Sequence, residues 1–315
     1  MALPASGQIT MNQVNVELGN SGTAQISMND AAVRGLFDDA SGQIAMSQGY
    51  GRSSETVLTS AGNVNGQAQR KQITVSSFIS SGDTLRIPSN IWVWSDDRDI
   101  AALIIDIPCT IQNDGKIIGK GGTASQSDGG GYGGPAIKIN SSVSGVTINN
   151  NSGAYIAGGG AGGGDDNAGG GGAGGGRNVN GGSGGALNAT GGNGVSPYGG
   201  GTVQGDGGGA GGGAGGYTQG YPGGGGGGGR ILPGVGGTGG SHTWKGGDGG
   251  SAGNTGQAGQ FTAYYGYYAG GGGGGWGAAG GRGGYVVYTG AGGSGISDSG
   301  NSYTLSNSGT IYGAT

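Results

Sequence analysis

Apolar positions in the first 50 residues come in short, evenly spaced bursts. GQITMNQ begins at Gly7, AQISMND at Ala24 and GQIAMSQ at Gly42. Their Gln-Ile-x-Met cores recur every 17 or 18 residues. Each core alternates briefly and then meets Asn or Ser, residues that cap helix N-termini. QVNVEL and DAAVRGLF follow with helical spacing, while the third copy stops early at GYGRSS. This pattern predicts three turn units leading into short helices, a module of residues 1–55. Such a module is too small to hold a core alone and is expected to dock on something.

From 56 the period changes to two. TVLTS, KQITVSSFI, TLRIP, NIWVW and DIAALIIDIPCTI alternate or run apolar, with SGD and NDG turn signals between them. A β-rich domain is expected over 56–157. Three stretches share one grammar: TIQNDGKIIGKGG (110–122), TINNNSGAYIAGGG (147–160) and TLSNSGTIYGA (304–314). Each reads apolar, Asn-containing turn with Gly, apolar, Gly. They are expected to form strand–turn–strand pieces similar to rungs of a β-helix, clamping both ends of what lies between. Residues 296–315 would then be a C-terminal strand returning to the β-rich part.

Between the clamps the hydrophobic pattern disappears. Residues 158–295 hold 68 of the 92 glycines, only nine valines, isoleucines and leucines, and twelve aromatic rings. A collagen triple helix needs Gly at every third position and abundant Pro; the chain has 7 Pro and no strict period. A flexible linker is the compositional default for glycine-rich sequence, but exposed rings would be a liability on a floppy chain. The third reading is a bundle of packed polyglycine-II helices. Such a helix has three residues per turn and no internal hydrogen bonds. Its outward N–H and C=O groups need partners on neighbouring helices, and only glycine lets the axes come close enough. The short inserts between glycine runs would be loops at the ends of these rods, one end abutting the β-rich part and the other facing outward. The expected fold is therefore mostly β and irregular: a small N-terminal docking module, a β-rich middle and a distal glycine-rich bundle over 158–295.

Rings concentrate in the inserts. QFTAYYGYYA (260–269) carries Phe261, Tyr264, Tyr265, Tyr267 and Tyr268; His242 and Trp244 sit in SHTWK; Tyr217, Tyr221 and Arg230 flank a run of seven glycines. Tyr- and Trp-rich loops supply contact area at low entropic cost and are typical of binding surfaces. The competing use of each ring is to cover the flanks of the bundle. Tyr285 and Tyr288, beside Val286 and Val287, alternate like a strand and are expected to be structural.

The net charge of −4 gives no sign of nucleic acid or an anionic membrane as partner. The N-terminus lacks the basic and apolar regions of a secretory signal. No stretch approaches the ~18 apolar residues of a membrane span. The protein is expected to be made in a cytosol without a signal peptide. Cys109, the single cysteine, lies in the apolar run ALIIDIPCTI and reads as a buried thiol. Asp96, Asp97 and Asp99 could serve acid/base chemistry at a glycosidic bond, but a polar turn after NIWVW is the plainer reading, and Asp165 and Asp166 are read the same way. No cofactor, metal-ligand or catalytic pattern stands out: His242 is the single histidine, and GxGxxG strings arise here by chance.

The N-terminal ALPASGQITMNQVNVELG, SMNDAAVRGLF and SGQIAMSQGYGRS resemble the start of tail-fibre and tail-tip proteins of tailed bacteriophages. IQNDGKIIGKGG, GGPAIKI and VTINNNSGAYIAGGGAGGGDD resemble the glycine-rich part of the same group. Alternating glycine runs and aromatic inserts are similar to the receptor-binding adhesin at the tip of T-even-type long tail fibres. This resemblance implies a polyglycine-II sandwich, an N-terminal segment attached to a fibre or tip protein, and inserts that bind a host outer-membrane protein or lipopolysaccharide. It also implies a virion location, no enzymatic activity and no membrane insertion. The implied contacts are Tyr217, Tyr221, Arg230, His242, Trp244, Phe261, Tyr264, Tyr265, Tyr267 and Tyr268. The chain departs from the T-even pattern in having no Trp before position 92, so its attachment partner is expected to differ. The alternatives are a polysaccharide depolymerase on a β-helix-like body, and a structural or ice-binding glycine protein.

Overall fold

The structure is a computed structural model. It describes residues 3–37, 39, 41–51, 54–64, 67–123, 131–164, 224, 227, 232–239, 245–259, 261–262, 267–268, 270–283 and 289–315.

Helix α1 (Met11–Glu17) starts at Thr10, whose Oγ1 accepts the Gln13 N–H at 3.3 Å while Gln13 Oε1 accepts the Thr10 N–H at 2.8 Å. This reciprocal cap satisfies two of the amides that every helix start leaves bare. Helix α2 (Ala31–Phe37) follows the second Gln-Ile-x-Met copy, and a single 3-10 turn (Met46–Gly49) follows the third. Ile9, Val14, Val33, Leu36 and Phe37 are buried together, with Ile26, Met28, Ile44 and Met46 packed around them. The isoleucines of all three copies thus meet in one small core. The module joins the next domain through Glu17, whose Oε1 accepts the Ser54 N–H at 3.0 Å and whose carbonyl accepts Ser54 Oγ at 2.8 Å.

The β-rich part is a solenoid whose first four rungs each visit three sheets in turn and whose fifth visits two. The first rung is β1 (Glu55–Val57), the hairpin β2 (Asn63–Val64) and β3 (Gln67–Lys71), then β4 (Ile73–Thr74). The second is β5 (Thr84–Ile87), β6 (Ile91–Trp94) and β7 (Leu103–Ile105). The third is β8 (Thr110–Asn113), β9 (Lys116–Ile118) and β10 (Ile137–Ile139). The fourth is β11 (Val146–Asn150), β12 (Tyr155–Ala157) and β15 (Ile296–Ser297); the fifth is β16 (Tyr303–Asn307) and β17 (Thr310–Tyr312). All rung-to-rung pairings are parallel, in the orders β1-β5-β8-β11-β16, β4-β7-β10-β15 and β3-β6-β9-β12-β17.

Register stacks like on like. Leu85, Ile111, Ile148 and Leu305 form one inward column; Val93, Ile117, Ile156 and Ile311 form a second; Ile73, Leu103, Ile137 and Ile296 form a third. Most are fully buried, and each such side chain contributes about 1.5–3 kcal/mol. The three stretches of shared grammar are the stacked third, fourth and fifth rungs. Their asparagines form a ladder at the corner: Asn113 Nδ2 donates to Asn150 Oδ1 and Asn150 Nδ2 to Asn307 Oδ1, both at 2.8 Å. Cys109 is buried against this core. Burial, and next the Asp106 carboxylate, push its thiol up to about 12.

The glycine region leaves the solenoid after β12 and returns at β15, within the fourth rung. Apart from 261–262 and 267–268, its described segments form no strands of the sheets, yet their amides are bonded to other segments. Gly271 and Gly274 donate to Gly164 and Ala161; Gly272 and Gly275 donate to Gln257 and Asn254; Gly270 and Gly273 accept from Gly247 and Gly250. Residues three apart therefore bond the same neighbour, and successive residues bond different ones. The same spacing recurs where Gly159 and Gly162 donate to Gly134 and Gly131, and where Gly256 and Gly259 donate to Ala279 and Arg282. The approach is too close for a side chain: a Cβ on Gly159 would lie 1.8 Å from the Lys120 carbonyl oxygen, and one on Gly272 would lie 2.1 Å from that of Asp248.

Candidate functional site

The rods have two distinguishable ends. At the solenoid end, Trp276 is fully buried on the outer face of the β6-β9-β12-β17 sheet, with Trp92, Trp94, Ile118 and Ala157. Its ring meets Tyr155 edge-on at 6.0 Å and Tyr312 at 5.7 Å. The turn at Gly253 lies at the same level, its amide donating to the Trp276 carbonyl at 3.1 Å. Ala252 packs on the same cluster and donates to Gly234 at 3.2 Å, so the 232–239 rod begins at this end.

From these anchors the directions of six further described segments follow. Residues 158–164, 254–259 and 278–283 run away from the solenoid; 245–250, 270–275 and 290–295 run toward it. Gly164 bonds both Gly271 and Gly281 at the far end, and Gly259 donates to Arg282 there. Thr123 and Gly131, bonded to each other, lie level with Gly162. The described residues flanking 124–130, 240–244, 260–269 and 284–288 thus all sit at the end away from the solenoid. Lys245 begins its rod there, and its Nζ pairs with Asp248 at 2.8 Å. Burial alone would raise the Asp248 carboxyl, but Lys245 and the Gly239 N–H outweigh it and hold the group below the usual carboxylate range.

Only part of the expected contact set falls on described residues. Phe261–Thr262 (β13) pairs antiparallel with Tyr267–Tyr268 (β14), in the register Phe261 to Tyr268. The two described segments of the longest aromatic insert are therefore paired with each other, between the 254–259 and 270–275 rods in sequence. Tyr217, Tyr221, Arg230, His242, Trp244, Tyr264 and Tyr265, with Asp165, Asp166, Tyr285 and Tyr288, lie outside the described residues. Sequence reasoning did not separate Trp276 from the other rings of the glycine region. Its neighbour Gly277 takes φ +64° for a turn, but a glycine among glycines gives no signal of that in the sequence.

Among solved structures, the chain is similar to the gp37-gp38 adhesin tip complex of the bacteriophage S16 long tail fibre. Identity is 18%, coverage is 98% of this chain and 99% of that one, and the TM-score is 0.38. No family model and no curated protein matches the chain.

The acidic turn after β6 is fully engaged. Asp96 pairs with Lys71 at 2.6 Å, Asp97 accepts the Asp99 N–H at 2.9 Å, and Asp99 accepts the Tyr132 hydroxyl. Arg98 lies over the Tyr132 ring at 4.7 Å. A polar cleft between the N-terminal helices and the first sheet holds Glu17, Glu55 and Asp83 among Ser54, Thr84 and Gln112. Burial raises the Asp83 carboxyl despite the Ser80 N–H that it accepts. Among the described residues, no group of three potential ligands is placed to hold a metal, and no helix is long and apolar enough to cross a membrane.

Proposed function

We propose that this protein is a non-enzymatic receptor-binding adhesin of a tailed bacteriophage, carried at a tail-fibre tip. In this reading residues 1–55 dock on a fibre or tip protein, the solenoid is a rigid mount, and 158–295 is a polyglycine-II bundle. Three-residue hydrogen-bond periodicity supports the bundle, because a helix with three residues per turn returns to the same neighbour at every third amide. One observation carries the functional reading: the connections to 240–244, 260–269 and 284–288 emerge together at the end away from the mount. Rods with so few large side chains offer little to recognise, so specificity is assigned to what they display.

The contact surface proposed comprises His242, Trp244, Phe261, Tyr264, Tyr265, Tyr267 and Tyr268, with Tyr217 and Tyr221 as further candidates. Arg230 precedes the solenoid end of its rod by two residues, and is proposed as a contact beside the mount. The receptor class that suits rigid rings with few charges is an outer-membrane protein or lipopolysaccharide.

Competition tests this directly. Purified protein added in excess should block phage adsorption to host cells. The variant with Phe261, Tyr264, Tyr265, Tyr267 and Tyr268 all changed to Ala should melt as the parent does and no longer compete. Undiminished competition by that folded variant would reject the surface. Release of reducing ends from host glycan by the parent would replace the proposal with a depolymerase.

A further inference from the structure

We infer that the last rung of the solenoid is a latch: Ile311–Ala314 and Trp276 together hold the glycine excursion in its packed form. The inference does not depend on what the far end binds.

Four consecutive residues of the fifth rung touch both legs of the excursion and the turns at Gly253 and Gly277. Gly158, on the outgoing leg, donates to the Tyr312 carbonyl at 3.0 Å, and Ile296, on the returning leg, donates to that of Ala314 at 3.1 Å. The inner turns are held too. A Cβ on Gly253 would lie 3.0 Å from the Tyr312 ring, and one on Gly277 would lie 2.2 Å from the Gly313 nitrogen. Gly313 itself lies against the Gly293 carbonyl, and Gly295 against Ile311. Trp276 stands between Tyr155 of the fourth rung and Tyr312 of the fifth. Without the fifth rung this buried ring loses the Tyr312 wall and keeps Tyr155, Trp92, Trp94 and Ile118.

The physical need for a latch follows from the rods. Glycine loses more conformational freedom on ordering than any other residue, and a rod bonded only to other rods has no side-chain burial to offset that loss. Fixing both legs and the turns at Gly253 and Gly277 at one plane removes much of the freedom before the rods zip. The residues that do this follow the excursion in sequence, so synthesis makes the excursion before its latch. The third rung bonds both legs as well, Gly134 accepting from Gly159 and Ile137 donating to Gly295, whereas the close approaches at Gly253 and Gly277 are to the fifth rung.

Amide hydrogen exchange on the full chain tests the latch. Tyr312→Ala and Trp276→Ala should each speed exchange at Gly271, Gly274 and Gly281 by at least about tenfold, while β5 and β8 amides keep their protection. Tyr312→Phe, which keeps the ring, should keep the protection. Unchanged glycine amides in both alanine variants would overturn the inference. Equal loss across rods and solenoid would overturn it as well, because the two would then be one cooperative body. Release by Tyr312→Phe would rule out ring packing as the cause.

Discussion

Gly275 and Gly35 both lack a side chain, with opposite consequences. Around Gly35, inside α2, nothing lies within 4 Å of where a Cβ would stand. A Cβ on Gly275 would stand 1.8 Å from the Ser251 carbonyl oxygen, closer than any real contact. Gly35→Ala is therefore expected to stabilise the N-terminal module by about 0.5–1 kcal/mol, the ordinary helix gain over glycine. Gly275→Ala should destabilise the glycine region by about 1–3 kcal/mol, as overpacking does. Thermal melts of the two variants, with exchange at Gly272 and Gly281 as the local reading, check both signs. A Gly275→Ala protein with parental exchange would mean that the rods can part without cost. Composition alone separates neither glycine; the difference lies in what stands opposite.

Among the elements, the corner ladder sets the register of the last three rungs. Asn150 is almost fully buried, donating to Asn307 and accepting from Asn113. A register slip would take each amide away from its partner, so the ladder enforces the same alignment as the aliphatic columns. Asn150→Leu would strand polar atoms on both sides, at a cost of about 2–3 kcal/mol. Asn149→Ala, one residue earlier on the outward face, should change the melting free energy by no more than about 0.5 kcal/mol. Equal effects from the two in denaturant titration would show that the ladder is decorative. These rungs were legible in the sequence because they repeat: Thr, Ile or Leu, any residue and Asn, with a Gly two or three residues on and then a short strand, occurs at 110, 147 and 304. The earlier rungs, which lack the repeat, were legible only as β-rich. Their placement depends on stacking partners far along the chain, and no local pattern encodes that. The Gln-Ile-x-Met units were legible as turns leading to helices, but their shared core was not, since six well-buried side chains fall below what composition reveals. Of the candidate site, the sequence indicated which inserts carry rings; which end of a rod each insert leaves from is set by hydrogen bonds between segments more than 100 residues apart, such as Gly271 to Gly164.

At the scale of the whole molecule, the solenoid and the excursion depend on each other unequally. The inward columns of Leu, Ile and Val close within the rungs, and the glycine segments contribute nothing to them. The corner occupied by the excursion, between β12 and β15, is crossed in the second rung by residues 95–102 alone. Replacing 158–295 by a connector copied from 95–102 should therefore leave five stacked rungs with a cooperative melt. Trp92 and Trp94 would then be the only tryptophans left in the chain, which makes their fluorescence a clean report on the sheet face that Trp276 covers. Emission should shift to the red as that face meets water, and competition for adsorption should vanish with the displayed loops. If the shortened chain instead fails to fold, the excursion is part of the scaffold, and the division into a mount and a display falls. If it folds and still competes, recognition belongs to the solenoid or to residues 1–55.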